Sequence, residues 1–498
     1  MASAETGRSN LDRSLITGVA WTGGIKGLSQ VLSWLATLVV ARILTPSDYG
    51  IAGMAATYIG IVQIVSEFGL SAAVVQQRDL TSDQIARLGG VSVGLGVVFG
   101  LLSVVLAAPV AWFFGESALQ AVIIVMSSTF VIGGLQVLPR SLLTRDLRFS
   151  TLGWIEGVEA VVLVGTTITL AILGYGYWAL VIGGVAARTV STVLMVLVCR
   201  HRIAWPRSLG TIAAPLQLGA HVLAASTLWY VFRSADLAVV GRVLGSAALG
   251  AYVVGFNLAS VPVERLTGLV SRATPAIFAA VQHDQAALRR YLLGLTEGIA
   301  LATMPVAIGL ALVAHDFVVV VLGEKWLPAV PALQLLALAS AVRSVTPLLP
   351  QVLIATGQAR RNTQASVALA LVLPPLFLLG TRWGIVGVAW MWVAVYPVIV
   401  AAFMVRFALA ACGTTIVQYL RALWPAASGC LVMAAAVLGT ELMLRPEWSL
   451  ATQLTLKVIV GAIAYAATLF LAHRSRLAAF LRLLRLLRVR RASAAADA

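Results

Sequence analysis

Residues 91–111 read VSVGLGVVFGLLSVVLAAPVA, a stretch of 21 residues without one charged side chain. A helix needs about 20 apolar residues to cross roughly 30 Å of hydrocarbon. Residues 422–440 form a second such run, and 60% of all 498 residues are hydrophobic. Only 11% are charged, against about 25% in soluble domains. The sequence therefore predicts an all-α protein that crosses a membrane many times.

Fourteen apolar segments are long enough to span the bilayer, and short connectors join them. None of the connectors has room for an inserted soluble domain. The segments are predicted at 14–43, 50–76, 87–111, 118–143, 151–173, 177–199, 212–240, 248–280, 289–314, 328–356, 363–380, 384–405, 421–440 and 451–472.

Arginines in alternate connectors set the predicted orientation. Connectors rich in lysine and arginine stay in the cytoplasm, so this bias places both termini there and requires an even number of spans. It also accounts for the net charge of +16 without a nucleic-acid partner. The poorer set holds Arg42, Arg242, Lys325, Arg382 and Arg445, and the richer set holds Arg78, Arg87, Arg140, Arg145, Arg148, Arg200, Arg202, Arg207, Arg289, Arg290, Arg360, Arg361, Arg406 and Arg421.

The C-terminal tail has a pattern of its own. Residues 477–491 read LAAFLRLLRLLRVRR, in which Arg482, Arg485 and Arg488 recur every three residues among leucines. This spacing predicts a basic amphipathic helix that lies against the lipids of the inner leaflet.

An internal repeat divides the spans into two halves. Residues 39–50, VVARILTPSDYG, and residues 239–250, VVGRVLGSAALG, match at five positions with a constant offset of 200. LPRSLLT from Leu138 and LPQVLIA from Leu349 form a weaker second match. Transporters built from such repeats bind substrate between the halves and open to each side in turn. The predicted domains are a terminus at 1–13, six-helix lobes at 14–199 and 212–405, a helix pair at 421–472 and the tail at 473–498.

Several ionisable residues are predicted at membrane depth, where charge is costly and usually faces a cavity. Lys26 lies midway along the first span among glycines, where it either lines a central cavity or pairs with an acid such as Glu67. A cavity with several cations suits a phosphate, which guanidinium groups bind in bidentate fashion. The candidates for this cationic site are Lys26, Arg188, Arg265 and Arg343, and those for ion coupling are Glu67 and Asp236.

Nothing in the sequence indicates an enzyme. The five histidines are scattered without metal-ligand spacing, and the three cysteines lie in or beside apolar runs. A membrane-bound transferase would need catalytic groups in a sizeable outer connector, which the chain lacks. We therefore predict no catalytic residues, no metal and no cofactor, and small buried cysteines.

Five segments resemble those of the Wzx-type polysaccharide flippases. This family is the polysaccharide-transport branch of the multidrug/oligosaccharidyl-lipid/polysaccharide exporter superfamily. The segments are ARILTPSDYG at 41–50, EFGLSAAVVQ at 67–76, LPRSLLTRDLRF at 138–149, ADLAVVGRVLG at 235–245 and SRATPAIFAAVQHD at 271–284. The resemblance covers residues 13–410, and the last two helices fit only by their number.

The resemblance implies fourteen helices in two lobes plus a final pair, in a bacterial cytoplasmic membrane. It implies transfer of an undecaprenyl-pyrophosphate-linked oligosaccharide from the inner to the outer leaflet, with a polysaccharide polymerase or co-polymerase as a further partner. In such flippases, cations of the first and eighth helices contact the pyrophosphate, and Lys26 and Arg265 occupy comparable places. The alternative is an antiporter of the same fold for drugs or organic cations, which would use an acidic or aromatic cavity lined by Glu67, Asp236 and Glu297.

Overall fold

A computed structural model describes residues 34, 36–67, 70–77, 79–205, 213–271, 274–443, 447–474 and 476. Lys26, most of the first predicted span and the amphipathic tail from residue 477 lie outside these ranges. The description also leaves out the side chains of Glu67 and of residues 213–229. Predictions that rest on these residues stay predictions.

The first part of the chain consists of helices and short connectors within the described ranges. Helix α8 contains a break at Gly245, whose φ of 84° is not helical. The break falls between the predicted spans 212–240 and 248–280, so α8 consists of two successive helices. The helices are α1 (36–43), α2 (Pro46–Glu67), α3 (Leu70–Gln76), α4 (Ser82–Phe114), α5 (Ala118–Arg145), α6 (Phe149–Ile172), α7 (Tyr177–Val198) and α8 (Ala213–Ser271).

The remaining part continues with ten helices. They are α9 (Thr274–Ala280), α10 (Gln285–Leu312), α11 (Ala314–Phe317), α12 (Val330–Arg343), α13 (Leu348–Ala355), α14 (Ala359–Gly380), α15 (Gly384–Val400), α16 (Arg406–Ala411), α17 (Ile416–Met443) and α18 (Leu450–Ala472). The connector expected at 315–327 is itself largely helical. It contains a π-helical turn at Val318–Leu322 and a 3₁₀ segment at Glu324–Ala329. A second π-helical turn joins α15 to α16.

Eleven helical stretches of the described residues are long and apolar enough to cross a membrane. One of them, Ala359–Ala411, contains two predicted spans, which separate at Gly384, where φ is 65°. No β-strand occurs in the ranges that the structure describes. The prediction of an all-α polytopic membrane protein is therefore confirmed.

The spans 50–76 and 248–280 are helical wherever the structure describes them, as α2 with α3 and as the end of α8 with α9. One predicted span differs from the observed helices. The span 328–356 is interrupted at residues 344–347. Thr346 precedes Pro347, and proline both lacks an N–H donor and disfavours helical backbone in the residue before it. This interruption bears directly on the candidate site.

The described residues form two compact units, one reaching to Gly250 and the other beginning at Ala251. In the first unit α4 packs along α5, and α6 packs along α7. In the second unit α17 packs against α10 and α18. The predicted lobes 14–199 and 212–405 divide the chain elsewhere, and they stay a prediction.

Packing within each unit agrees with the alternation of arginine-rich connectors. In the first unit the backbone N–H of Ala204 donates to the carbonyl of Ala86 at 3.0 Å, which joins two arginine-rich connectors. In the second unit the Gln285 amide donates to the Ala411 carbonyl at 3.4 Å, which joins two more. We call this end of each unit the inner end, following the predicted orientation.

Two of the three cysteines are buried, as the sequence predicts. Cys412 and Cys430 are 1% and 3% exposed, and Cys199 is half-buried. Burial raises the pKa of the Cys412 thiol, in the connector before α17, to about 11. A thiol with so high a pKa is almost wholly protonated at neutral pH, which makes it a poor nucleophile.

Candidate functional site

The interruption between α12 and α13 lies near the middle of the predicted span 328–356. Backbone that leaves the helical hydrogen-bond ladder at membrane depth needs other partners. The Thr346 hydroxyl donates to the carbonyl of Arg343 at 3.0 Å and lies 3.1 Å from the hydroxyl of Tyr396. The Ser344 hydroxyl donates to the carbonyl of Ala341 at 2.8 Å. Side-chain hydroxyls thus close the break, which places Arg343 at the end of a half-helix.

Arg343 stacks against aromatic rings. Its guanidinium carbon lies 4.7 Å from the centroid of the Trp392 ring and 5.5 Å from that of Phe256. Trp392 is held in turn between Phe377 and Tyr396, with ring centroids 5.4 and 5.6 Å away. Such stacking fixes the plane of a guanidinium group and leaves its N–H edges open to an anion.

The carboxylate of Glu264 faces Arg343 without a close contact between the two charged groups. Glu264 Oε1 lies 4.0 Å from Arg343 Nη2, beyond the usual range of a hydrogen bond. The Arg343 side chain is 18% exposed and that of Glu264 is 43% exposed. Both groups are therefore accessible, and Arg343 keeps donors for a further acceptor.

Arg265 follows Glu264 on α8 and is exposed. Within the described part of the chain it makes no ion pair or side-chain hydrogen bond. Arg343 of α12 thus faces Glu264 on α8, the residue that precedes the second predicted cation, Arg265.

Arg188 belongs to the other unit, where it lies midway along α7. The space that a Cβ of Gly133 would occupy is 3.7 Å from both Arg188 Nη2 and Gln63 Nε2. Nearby on α5 and α7, the Gln136 amide donates to the Ser191 hydroxyl at 3.1 Å. Helices α2, α5 and α7 therefore share a polar strip inside this unit, which includes the predicted cation.

Of the two ion-coupling candidates, one can be placed. Asp236 is fully buried in α8, and its Oδ1 accepts a hydrogen bond from the backbone N–H of Leu237 at 2.8 Å. The side chain of Glu67 lies outside the described residues. Glu297, the third acid of the antiporter alternative, binds Arg476 Nη1 through its Oε2 at 3.2 Å.

One buried ion pair was missed by the sequence analysis. Lys457 Nζ donates to Asp316 Oδ2 at 2.8 Å and lies 3.6 Å from Glu441 Oε1. The side chains of Lys457 and Asp316 are 5% and 9% exposed. Lys457 is the one charged residue of the predicted span 451–472, which is the signal that could have revealed it. His315 Nδ1, 3.2 Å from Asp316 Oδ1, completes the cluster.

Comparison with known proteins identifies the family of this chain. Residues 39–331 match a family described as polysaccharide biosynthesis proteins, which is more than half of the chain. The chain belongs to this family. The resemblance to polysaccharide flippases predicted from the sequence is confirmed.

Individual relatives agree with the family assignment. The lipopolysaccharide biosynthesis protein WzxC of Escherichia coli is 26% identical over 427 residues, which cover 83% of this chain and 85% of that protein. Among solved structures, the lipid II flippase MurJ in an inward closed conformation aligns with a TM-score of 0.73 at 14% identity, covering 91% of this chain and 99% of MurJ. An inward-facing multidrug resistance transporter of the MATE family aligns with a TM-score of 0.58 at 13% identity, covering 80% and 95%.

These comparisons define the general class of the protein. It is a multi-pass membrane protein of polysaccharide biosynthesis with a transporter fold of the flippase type. The fold is shared by a lipid flippase and by a multidrug transporter, so it does not by itself select the cargo.

Proposed function

We propose that this polysaccharide-family protein is a flippase for an undecaprenyl-pyrophosphate-linked oligosaccharide. It carries the lipid-linked unit from the inner to the outer leaflet of a bacterial cytoplasmic membrane, with both termini in the cytoplasm. The observation that carries the proposal is the accessible Arg343, stacked on Trp392 at a helix break in the middle of a span. A membrane protein keeps such a cation at a cost, which an anionic cargo justifies.

The chemistry of the site suits a pyrophosphate. Stacking orients the Arg343 guanidinium plane, and two parallel N–H···O bonds to one phosphate can form at its open edge. Glu264, at 4.0 Å, holds the group in place between transport cycles and gives way to a stronger anion. Arg265, in the same unit, is a further exposed cation, and Lys26 and Arg188 stay predicted members of the cationic site, with Lys26 a point charge rather than a planar fork.

Transport to the other leaflet requires an opening that closes again. The two copies of the repeat contact each other closely, and this contact suits the role of such a closure. A Cβ on Gly50 would overlap the carbonyl of Ser246, and a Cβ on Gly250 would overlap the carbonyl of Pro46. The two contacts are reciprocal under the offset of 200, and Ser47 Oγ lies 3.1 Å from Ser246 Oγ. We infer that this crossing, at the end opposite the arginine-rich connectors, closes the outer side and parts when the cargo leaves.

The antiporter alternative is less well supported. Of the three acids predicted for it, Asp236 is fully buried, Glu297 is bound to Arg476, and the side chain of Glu67 lies outside the described residues. Family membership also favours a saccharide cargo over a drug. A polymerase or co-polymerase partner stays a prediction.

Export of polymer in a deletion strain tests the proposal. Loss of polymer together with accumulation of lipid-linked units would place the block at translocation. Complementation with Lys26→Ala should fail although the protein is inserted normally, whereas Arg382→Ala, which removes an exposed cation at the outer end, should restore export. Normal polymer in the deletion strain, with raised sensitivity to cationic dyes, would favour the antiporter instead.

A disulfide across the repeat crossing tests the transport cycle. In a chain whose three native cysteines are replaced by alanine, Ser47→Cys with Ser246→Cys provides two thiols within disulfide reach. Oxidation should stop export and a reductant should restore it, while Ser47→Cys alone should be insensitive to both. Full export by protein in which mass spectrometry finds the linked peptides would contradict a crossing that opens.

A further inference from the structure

Two arginines of the second unit share one aromatic ring at the inner end. The guanidinium carbon of Arg361, in the first turn of α14, lies 4.2 Å from the ring centroid of Phe407, and that of Arg406 lies 5.9 Å away. Arg361 Nη1 also donates to the amide oxygen of Gln364 at 3.1 Å. Both arginines are exposed, so like charges are held close together on a surface.

The backbone adds to this positive charge. Arg360 and Arg361 lie in the first turn of α14, where the partial charge of the helix is also positive. The N-cap residue, Gln358, makes no side-chain capping hydrogen bond, so its side chain does not satisfy the N–H groups of the first turn. Cations at this position are destabilised by the helix dipole. An anion placed there would be stabilised by the dipole and by the arginines.

The surrounding connectors offer almost no compensating acid. Residues 281–290, 356–361 and 406–421 contain six arginines and one acid, Asp284. That acid caps its own helix, because its Oδ1 accepts a hydrogen bond from the backbone N–H of Ala287 at 2.9 Å. The positive charge of these connectors is therefore not balanced by acids within them, which favours binding of an anion there.

We propose that Arg361, Arg406 and the first turn of α14 bind the phosphate of an anionic phospholipid of the inner leaflet. The group lies at both ends of the apolar stretch Ala359–Ala411, and the ends of apolar spans are where lipid headgroups meet the protein. The ring of Phe407 keeps both guanidinium groups in position, and their remaining N–H groups donate to the phosphate oxygens. Occupancy of the site anchors the α13–α14 and α16–α17 turns to the membrane surface.

Titration of the purified, delipidated full-length chain with phosphatidylglycerol tests this site, with stabilisation against heat as the readout of binding. Each arginine near an anionic surface contributes about a factor of five in affinity, so Arg361→Gln with Arg406→Gln should weaken binding roughly 30-fold. The matched control is Arg242→Gln with Arg382→Gln. It removes the same charge from the outer end, including an arginine 5.5 Å from the ring of Phe113, and should change the affinity less than about twofold.

Further measurements distinguish a lipid phosphate from free phosphate and control for misfolding of the variants. Phosphatidylcholine and inorganic phosphate should not stabilise the wild type. Stabilisation by inorganic phosphate that the double variant loses would reveal a free-anion site and overturn the lipid assignment, as would equal lipid affinity of the double variant and the control. Phe407→Leu, which keeps both charges, should lose part of the affinity even if the double variant proves unstable. Binding is measured without transport, so a failure here leaves the proposed flippase function untouched.

Discussion

Among the cations of the second unit that lie within predicted spans, Lys457 and Arg343 have different surroundings. Lys457 touches Asp316 at 2.8 Å, has Glu441 at 3.6 Å and is 5% exposed. Arg343 has one carboxylate at 4.0 Å, stacks on aromatic rings and is 18% exposed. The lysine is therefore neutralised by its neighbours, while the arginine keeps open donors.

The difference separates a structural charge from a functional one. A buried cation without a partner is very costly, so a pair at hydrogen-bond distance is the minimum that stability requires. Lys457 meets this requirement, and in doing so it ties α18 to α11 and α17. Among the described residues, Arg343 has no ion pair at hydrogen-bond distance, although this part of the fold is otherwise well packed. An additional ligand explains this better than a purely structural role does.

The largest effect is expected for Lys457→Ala. Removing one partner of a buried ion pair leaves Asp316 without its lysine, and breaking such a pair costs about 3–5 kcal/mol. The amount of folded protein in membrane fractions should fall severely, together with the melting temperature in detergent. Arg343→Ala, measured in parallel, should leave both quantities close to those of the wild type. Equal losses in the two variants would erase the distinction between the two cations.

Arg343→Lys should reduce transport by about tenfold without reducing the amount of protein. The substitution keeps the charge and loses one of two charge-assisted hydrogen bonds of a planar fork. The rate of lipid-linked substrate transfer in reconstituted vesicles measures it. A lysine variant as active as the wild type would mean that only the charge matters there.

A smaller change in the opposite direction is expected for Glu264→Gln. The exposed carboxylate competes with the pyrophosphate for Arg343, and pairs of this kind are worth about two- to five-fold in affinity. The half-saturating concentration of lipid-linked substrate should fall by that factor. An unchanged or higher value would place Glu264 among the residues that support the cargo.

The smallest effect is expected when both partners of the structural pair are replaced. Lys457→Met with Asp316→Leu exchanges the ion pair for apolar side chains, a change that is often neutral. Export and melting temperature should both return to near wild-type values. A double variant that folds and does not transport would assign the pair a role in the transport cycle.

The sequence predicts most of the helices because apolar length alone determines them. The predicted span 451–472 agrees with α18 at Leu450–Ala472, and 177–199 agrees with α7 at Tyr177–Val198. The break after Arg343 has a local cause in Pro347, but its closure depends on Tyr396, which is 50 residues away. The length of an apolar segment does not indicate such a break.

The candidate site is predicted only in part. Arg343 and Arg265 stand out as cations within apolar spans, and the structure places Arg343 opposite Glu264, the neighbour of Arg265 on α8. Sequence alone cannot give the partner of a charge, because Lys457 and Asp316 are 141 residues apart. Nor does it indicate that Trp392 stacks on Arg343 rather than lying at the membrane interface. Both depend on which helices pack together.

The most direct test of the central claim is the level of lipid-linked intermediates in a deletion strain that carries Arg343→Ala at normal abundance. The account predicts that polymer is lost while lipid-linked units accumulate, as in the deletion itself. Normal polymer export by Arg343→Ala would contradict it, because the accessible cation at the helix break would then have no part in carrying the cargo.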